Sequence, residues 1–148
     1  MIKNKLLQHR FVETMPDTIE PGILYISTEY ATAAHQCCCG CGEEVVTPFS
    51  PAHWQMTFDG ETISLHPSVG NWNLRCRSHY FVKQGRVIEA QGWTDAQIKA
   101  GRKRDKGART KYFDDKRNAP APATAPTTTA VADRVWPRFK QWLRSTFV

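Results

Sequence analysis

Four of the chain's five cysteines stand at positions 37, 38, 39 and 41, and the fifth is the distant Cys76. A disulfide framework spreads its cysteines so that each bridge closes a loop, and neighbours this close form no useful loop. Thiols clustered in a chain without an export signal are typical of a metal site, with zinc as the expected metal. Redox chemistry and accidental clustering are the alternatives. Four protein ligands would close the site, so we expect a structural and not a catalytic zinc.

The spacing of the cysteines predicts which of them would bind one ion. Alternate residues of an extended chain point to the same side, so Cys37, Cys39 and Cys41 would share a face while Cys38 points away. The glycines on both sides of Cys41 would let the backbone curl around the ion. Cys76 would supply the fourth ligand and tie two distant parts of the chain together.

Three ligands so close in sequence make a tight arrangement, and His79 or His35 is the alternative to Cys37 as a ligand. The residues around Cys76 are predicted to form a strand, in which successive side chains point to opposite faces. His79 would then point away from Cys76 unless a turn intervenes, which leaves its imidazole free for other chemistry.

A second group of residues has the ingredients of nucleophilic catalysis. Ser68 lies on a predicted turn bounded by Pro67 and Gly70, and His79 would remove the proton from its hydroxyl. A backbone amide near Gly70 or the Asn71 side chain would stabilise an oxyanion. Serine and histidine occur in almost every chain, however, and the alternative role of Ser68 is a turn-forming hydroxyl.

The rest of the N-terminal part predicts the fold class. The 148 residues suit one compact domain, and residues 10–90 read as short strands separated by turns. Hairpin signals stand at residues 59–60 and 84–85, while residues 5–11 fit either a helix or an edge strand. About seven short strands at this spacing predict a mainly β fold, which we expect to be a small zinc-stabilised β-sandwich or open barrel.

The character of the sequence changes after Trp93. A capping signal at Thr94 and Gln97 predicts the start of a short basic helix. We expect a zinc-binding β domain at residues 1–95, a flexible basic and Pro/Ala/Thr-rich linker at 96–132, and an amphipathic tail helix at 133–148. That tail helix would either dock a partner or fold back on its own domain.

The positive charge is concentrated in one segment. Residues 99–117 contain nine Lys/Arg and three Asp, giving +6, which equals the formal net charge of the whole chain. This segment is interpreted as a solvated connector, with nucleic acid or an acidic partner as the weaker alternative. Because no apolar run approaches the roughly 20 residues of a membrane span, we expect a soluble, cytoplasmic protein without a membrane partner.

Several unusual short motifs of the sequence occur in an order that is found in one bacterial family. They are Glu29–His35, Cys39–Glu43 with Val45–Pro48 after it, Ser64–Trp72 and Cys76–Tyr80. In these motifs, which lie within roughly residues 10–90, the chain resembles a small family long described as a domain of unknown function. Its members occur in some operons for ubiquitin-like protein conjugation, beside enzymes that resemble activating and conjugating enzymes.

The resemblance implies a compact zinc-binding domain that acts as a serine-type peptidase, trimming or removing a ubiquitin-like modifier. Its partner would be a ubiquitin-like protein or the conjugates of that protein. The positions that match the family's metal ligands are Cys37, Cys39, Cys41 and Cys76. Those that match the nucleophile and base are Ser68 and His79, with His35, Asn71 and Ser78 as second candidates. Cys38 departs from the family pattern, in which proline is common at that position.

Two other functions stay open beside the peptidase. One is a zinc-stabilised module without catalysis, which recruits a protein or nucleic acid through its tail. The other is an accessory protein in which the fold serves only as a scaffold.

Overall fold

A computed structural model describes residues 1–119, which contain eight strands and one helix. The elements are β1 (Gln8–Phe11), β2 (Ile23–Ser27), β3 (Thr32–Gln36), β4 (Glu44–Pro48), β5 (Gln55–Phe58), β6 (Ile63–Gly70), β7 (His79–Lys83), β8 (Arg86–Glu89) and α1 (Asp95–Asn118).

The strands form two four-stranded sheets, each in sequential order. In the first sheet β1 runs parallel to β2, and the β2–β3 and β3–β4 pairs are antiparallel. The second sheet, β5 to β8, is antiparallel throughout. The prediction of a mainly β fold is confirmed, and the sheets form no closed barrel within residues 1–119.

Both sheets contribute side chains to one apolar core. Ile26 and Ala33 come from the first sheet, and Ile63, Val69 and Val82 from the second. Burial alternates along β4 and along most of β7, as expected for strands with one covered face. The cysteine cluster is part of this core, since Cys37 and Cys38 are fully buried in it.

The hairpin signals predicted the local structure correctly. Residues 59–62, which begin with the predicted Asp59–Gly60 signal, join β5 to β6. The Asp59 carboxylate accepts hydrogen bonds from the backbone amides of Glu61 and Thr62 and from the Thr62 hydroxyl. The residues between β7 and β8 are Gln84 and Gly85, both with positive φ, as a two-residue hairpin turn requires.

Three elements differ from the sequence prediction. The predicted turn at residues 67–71 lies mostly inside β6, where the pairing register with β7 shifts between Leu65 and Val69. Such an irregularity accommodates Pro67, which has no amide hydrogen to donate to a regular ladder.

β7 begins only at His79, because the chain turns through Arg77 with φ +46°. β3 was not predicted, and the ambiguous N-terminal segment forms the edge strand β1.

Helix α1 begins with the predicted capping interaction and continues farther than expected. The Gln97 amide donates to the Thr94 hydroxyl, and the Thr94 amide donates to the Gln97 side-chain oxygen. The helix extends through the basic segment to Asn118, because Lys, Arg and Ala are good helix formers. Ile98 and Gly101 are its buried residues, and Gly101 lies against the Trp93 ring.

The remaining predictions about the C-terminal part concern residues that are not described. The Pro/Ala/Thr-rich part of the linker lies almost entirely outside residues 1–119, and the tail helix at 133–148 lies wholly outside them. The division into three segments therefore stays a prediction. Within residues 1–119, no helix is both long and apolar enough to cross a membrane.

Candidate functional site: a Ser–His pair beside a cysteine cluster

Ser68 and His79 lie on neighbouring strands and contact each other. The Ser68 hydroxyl oxygen is 2.8 Å from Nε2 of His79. His79 opens β7 and pairs with Gly70 of β6, while Ser68 lies in the irregular part of β6. Bulged residues are often found where a strand must redirect a side chain. The Ser68 side chain is half-buried and His79 is 7% exposed, so the pair lies at the surface with its imidazole largely shielded from water.

A backbone carbonyl fixes the tautomer of this imidazole. Nδ1 of His79 lies 2.7 Å from the Gln91 carbonyl oxygen, which can only accept a hydrogen bond. Nδ1 therefore carries the proton, and Nε2 presents its lone pair to the Ser68 hydroxyl. A hydroxyl, an imidazole and an orienting acceptor in this order form an arrangement that can activate a serine. The part played by Gln91 could not be predicted from the sequence, because every residue type has a backbone carbonyl.

Two tryptophans cover the His79 ring. The Trp72 ring centroid is 4.9 Å from that of His79, the Trp93 centroid is 5.4 Å away, and the two indoles stack at 5.5 Å. A Cβ on Gly70 would come within 2.9 Å of three Trp72 ring atoms, so the absence of a side chain at this position lets Trp72 approach. The contacts of Trp72 and Trp93 with His79, and the role of Gly70 in them, were also not predicted from the sequence.

A second Ser–His contact occurs in the described part of the chain. The Ser50 hydroxyl lies 2.7 Å from Nδ1 of His53 in the loop before β5, and it also accepts a hydrogen bond from the Ala52 amide. Nε2 of His53 has no hydrogen-bond partner among residues 1–119 that would fix its tautomer. This contact has the form of a local turn and lacks the orienting third group that His79 has.

The thiol sulfurs of Cys37, Cys39, Cys41 and Cys76 all lie within 4.8 Å of one another. The Cys37 sulfur is 3.4 Å from that of Cys39 and 3.8 Å from that of Cys76. Zn–S bonds near 2.3 Å at tetrahedral angles require sulfur–sulfur separations of about 3.8 Å. The four residues could therefore hold one metal ion, and their all-thiolate chemistry fits zinc.

The segment 37–41 is a turn and not the extended chain that the sequence analysis assumed. Gly40 and Gly42 adopt φ of +81° and +84°, a region that residues with a Cβ rarely occupy. The amide of Gly40 donates to the Cys37 carbonyl and closes the turn. The sulfurs therefore converge because the backbone curls and not because alternate side chains share a strand face.

Cys38 is not among the four clustered sulfurs, as predicted. The cause is the turn at residues 37–41 and not the alternation of side chains along a strand. Cys38 is fully buried in the apolar core. Burial raises the pKa of its thiol to about 12, which a hydrogen bond with Tyr80 partly offsets. Its carbonyl oxygen accepts the amides of Lys3 and Asn4, so the N-terminal segment is tied to the back of the cysteine turn.

Polar side chains surround the four sulfurs. The Asn71 amide nitrogen lies 3.4 Å from the Cys37 sulfur and 2.9 Å from the Ser78 hydroxyl, which is itself 3.0 Å from the Cys37 sulfur. Burial tends to raise the pKa of Cys76, but hydrogen bonds from the Ser78 amide and hydroxyl and from the thiols of Cys39 and Cys41 together lower it to about 7. Such partners orient ligands and favour their ionised form.

His35 and Asn71 are not brought together with Ser68. His35 is fully buried, and its Nε2 lies 2.8 Å from the Tyr80 hydroxyl. Burial lowers the pKa of His35 to about 4, so the ring is neutral at physiological pH. The Asn71 amide is directed to the Cys37 sulfur and to the hydroxyls of Ser78 and Tyr80. The hydrogen bonds of both side chains are therefore directed to Tyr80 or to the surroundings of the sulfurs, and none of them reaches Ser68.

A protein-family model matches most of the β domain. It covers residues 11–90 and is described as "Bacterial ubiquitination-like system serine protease (BubE)". The match spans more than half of the 148 residues. The chain belongs to the BubE family. No curated protein and no solved structure matched the chain.

In this BubE-family domain the start of β7 connects the Ser68–His79 pair to the cysteine cluster. Ser78 lies among the sulfurs and His79 faces Ser68, because neighbouring side chains of an extended segment point to opposite sides. The residue that contacts Ser68 therefore follows directly after a residue that contacts the sulfurs. Gln91, Trp93 and helix α1 lie beyond the segment that the BubE model matches.

Proposed function

We propose that this protein is a zinc-stabilised serine-type peptidase or isopeptidase that processes or removes a ubiquitin-like modifier. The observation that carries the proposal is the hydrogen-bonded series from the Ser68 hydroxyl through His79 to the Gln91 carbonyl. Membership of the BubE family supports both the type of chemistry and the ubiquitin-like partner.

In the proposed reaction, Nε2 of His79 takes the hydroxyl proton as the Ser68 oxygen attacks the carbonyl carbon of the scissile bond. The proton then passes to the leaving amine, and the bond between carbon and nitrogen breaks to leave an acyl-enzyme. His79 next removes a proton from water as the water oxygen attacks the ester carbon. The bond between that carbon and the Ser68 oxygen then breaks, and His79 returns the proton to Ser68 as the acid product leaves. The Gln91 carbonyl keeps the ring oriented and accepts from the imidazolium throughout.

We propose zinc as the ion for the four thiolates, held by Cys37, Cys39, Cys41 and Cys76. When bound, zinc supplies a structural cross-link and no open coordination position. The cross-link joins the 37–41 turn to the turn before β7. Since His79 follows Cys76 by three residues, this cross-link would fix the strand that carries the proposed base.

Ser68→Ala and Ser50→Ala form a matched pair for testing this function. The substrate is a ubiquitin-like protein of the same system, fused through its C terminus to a reporter protein. We expect wild type and Ser50→Ala to release the reporter at similar rates and Ser68→Ala to release none. Cleavage by Ser68→Ala at the wild-type rate would contradict the proposal, and cleavage lost only in Ser50→Ala would move the nucleophile to Ser50.

The second candidate function is a zinc-binding module without catalysis, which the exposed basic helix α1 favours. The two functions are separated by the same fusion protein. Tight, stoichiometric binding of the fusion by wild type without any cleavage would favour the module and would overturn the peptidase.

A further inference from the structure

A cleft of about 730 Å³ lies between Trp93 and the first half of helix α1. Its wall is the Trp93 indole, and its other lining residues are Gln97, Ala100, Lys103 and Arg104. We call it the Trp93 cleft. It combines an apolar surface with charged groups of one sign. A groove of this composition suits a peptide that carries the opposite charge.

The charged lining of the Trp93 cleft is entirely cationic. Lys103 and Arg104 form no ion pair with any residue in the range 1–119, whereas Arg77 pairs with Asp95 and Arg117 with Asp114. Both cationic side chains are exposed. Two unpaired cations beside an apolar wall favour a ligand that brings carboxylates.

The Trp93 cleft is directly next to the Ser–His pair. The same Trp93 ring that forms its wall lies 5.4 Å from the His79 ring and stacks on Trp72, which also covers His79. A polypeptide that placed a bond at Ser68 and continued over the tryptophans would therefore enter the cleft.

We propose that the Trp93 cleft binds an acidic segment of the protein substrate that adjoins the bond attacked by Ser68. The inference is based on the proposed peptidase function and adds a charge preference to it. Carboxylates of the segment would pair with Lys103 and Arg104, while its apolar side chains would contact Trp93. Single pairs between exposed side chains contribute little, so the charge preference would depend on several carboxylates meeting Lys103 and Arg104 together.

The arrangement of the rings favours an acidic peptide over a single-stranded nucleic acid. Nucleic-acid platforms present open aromatic faces on which bases stack. Here Trp72 stacks against Trp93, and Trp93 packs against Gly101, where an added Cβ would lie 2.9 Å from the ring. Much of the aromatic surface is thus occupied by contacts within the protein.

Binding of a short fluorescein-labelled peptide of alternating Glu and Leu, measured by fluorescence anisotropy with the full chain, tests this inference. The cleft variant is Lys103→Glu with Arg104→Glu. The matched control is Lys111→Glu with Lys116→Glu, which makes the same change in net charge on the same helix. The control positions lie about 10 Å or more along the helix from Arg104, which is close to one screening length at about 0.1 M salt.

We expect wild type to bind the peptide, the cleft variant to bind at least about tenfold more weakly, and the control to change by about twofold or less. A peptide with Gln in place of Glu should bind weakly to all three proteins. Equal weakening in both variants would overturn the inference, as would no binding by wild type. Tighter binding of an oligothymidylate of equal charge, with the same dependence on Lys103 and Arg104, would also overturn it and indicate a nucleic-acid site.

The binding result is independent of catalysis. Ser68→Ala should bind the peptide as wild type does, because the hydroxyl is outside the cleft. Normal binding with no reporter cleavage by wild type would contradict the peptidase alone. Cleavage without selective peptide binding would contradict the cleft inference alone.

Discussion

Nδ1 of His79 lies 2.7 Å from the carbonyl oxygen of Gln91. A carbonyl is neutral, so it orients the ring and fixes the tautomer without the charge that a carboxylate would add. The proposed catalytic group is therefore a Ser–His pair held by the backbone between β8 and α1. The proposed Ser–His pair therefore needs no carboxylate as its third member.

The orienting contact predicts opposite outcomes at its two residues. Gln91→Ala keeps the backbone carbonyl, so cleavage of the reporter fusion should stay near the wild-type rate. His79→Ala removes the proposed base, and we expect kcat to fall on the order of 10³-fold or more. Steady-state kinetics on both variants measures the difference. A large loss in Gln91→Ala would show that the side chain, and not the carbonyl, is the orienting group.

Gly70→Ala tests the role of Trp72. The new Cβ would lie within 2.9 Å of the indole, so Trp72 must move away from His79. Because displacing a neighbour of the reacting groups by about 1 Å can cost on the order of 10²-fold, we expect kcat to fall by a factor between about 10 and 100. Gly92→Ala is the control, since a Cβ there meets nothing within 4 Å. Equal activity of both variants would show that the position of Trp72 is unimportant.

Metal analysis separates the roles of the cysteines. Protein purified without added zinc should contain about one equivalent per chain, and Cys76→Ala should lose both the metal and cooperative unfolding, since structural zinc contributes directly to folding. Cys38→Ala should keep the metal and lose only about 1 kcal/mol of stability from the vacated core volume. Metal lost in Cys38→Ala but kept in Cys37→Ala would make the ligand assignment wrong.

Ile98→Ala tests whether the folded domain includes the start of α1. Ile98 is 7% exposed, and removing a buried isoleucine side chain costs about 2–4 kcal/mol. Thr110→Ala, an exposed position of the same helix, should change stability by no more than about 0.5 kcal/mol. Urea unfolding followed by tryptophan fluorescence gives both values. An Ile98→Ala variant as stable as wild type would favour the domain end near residue 95 that the sequence predicts.

Features encoded within a few neighbouring residues could be predicted from the sequence. The hairpin at Asp59 and the cap at Thr94 depend on side chains that bond to the adjacent backbone, and both are present. β3 was missed because Ala33 and Ala34 have little strand propensity and are strand residues only through pairing on both sides.

The geometry of the candidate site depends on contacts between distant residues, and for this reason only part of it could be predicted. Pro67 and Gly70 are turn signals by residue type, yet the sheet incorporates them through a register shift in β6. The sulfurs that come together are those predicted from the spacing and from the family resemblance. They converge because residues 37–41 form a turn, whereas an extended chain was expected. The Trp72–Trp93 stack joins segments that share no sequence pattern.

Mass spectrometry of the chain after reaction with a fluorophosphonate tests the central claim most directly. Peptide mapping should find the adduct on Ser68. Ser68→Ala and His79→Ala should lose this adduct and keep the metal, and Ser68→Ala should also keep a melting temperature close to that of wild type. An adduct on Ser50 or another serine, or no adduct on wild-type protein that carries its full metal equivalent, would contradict the account.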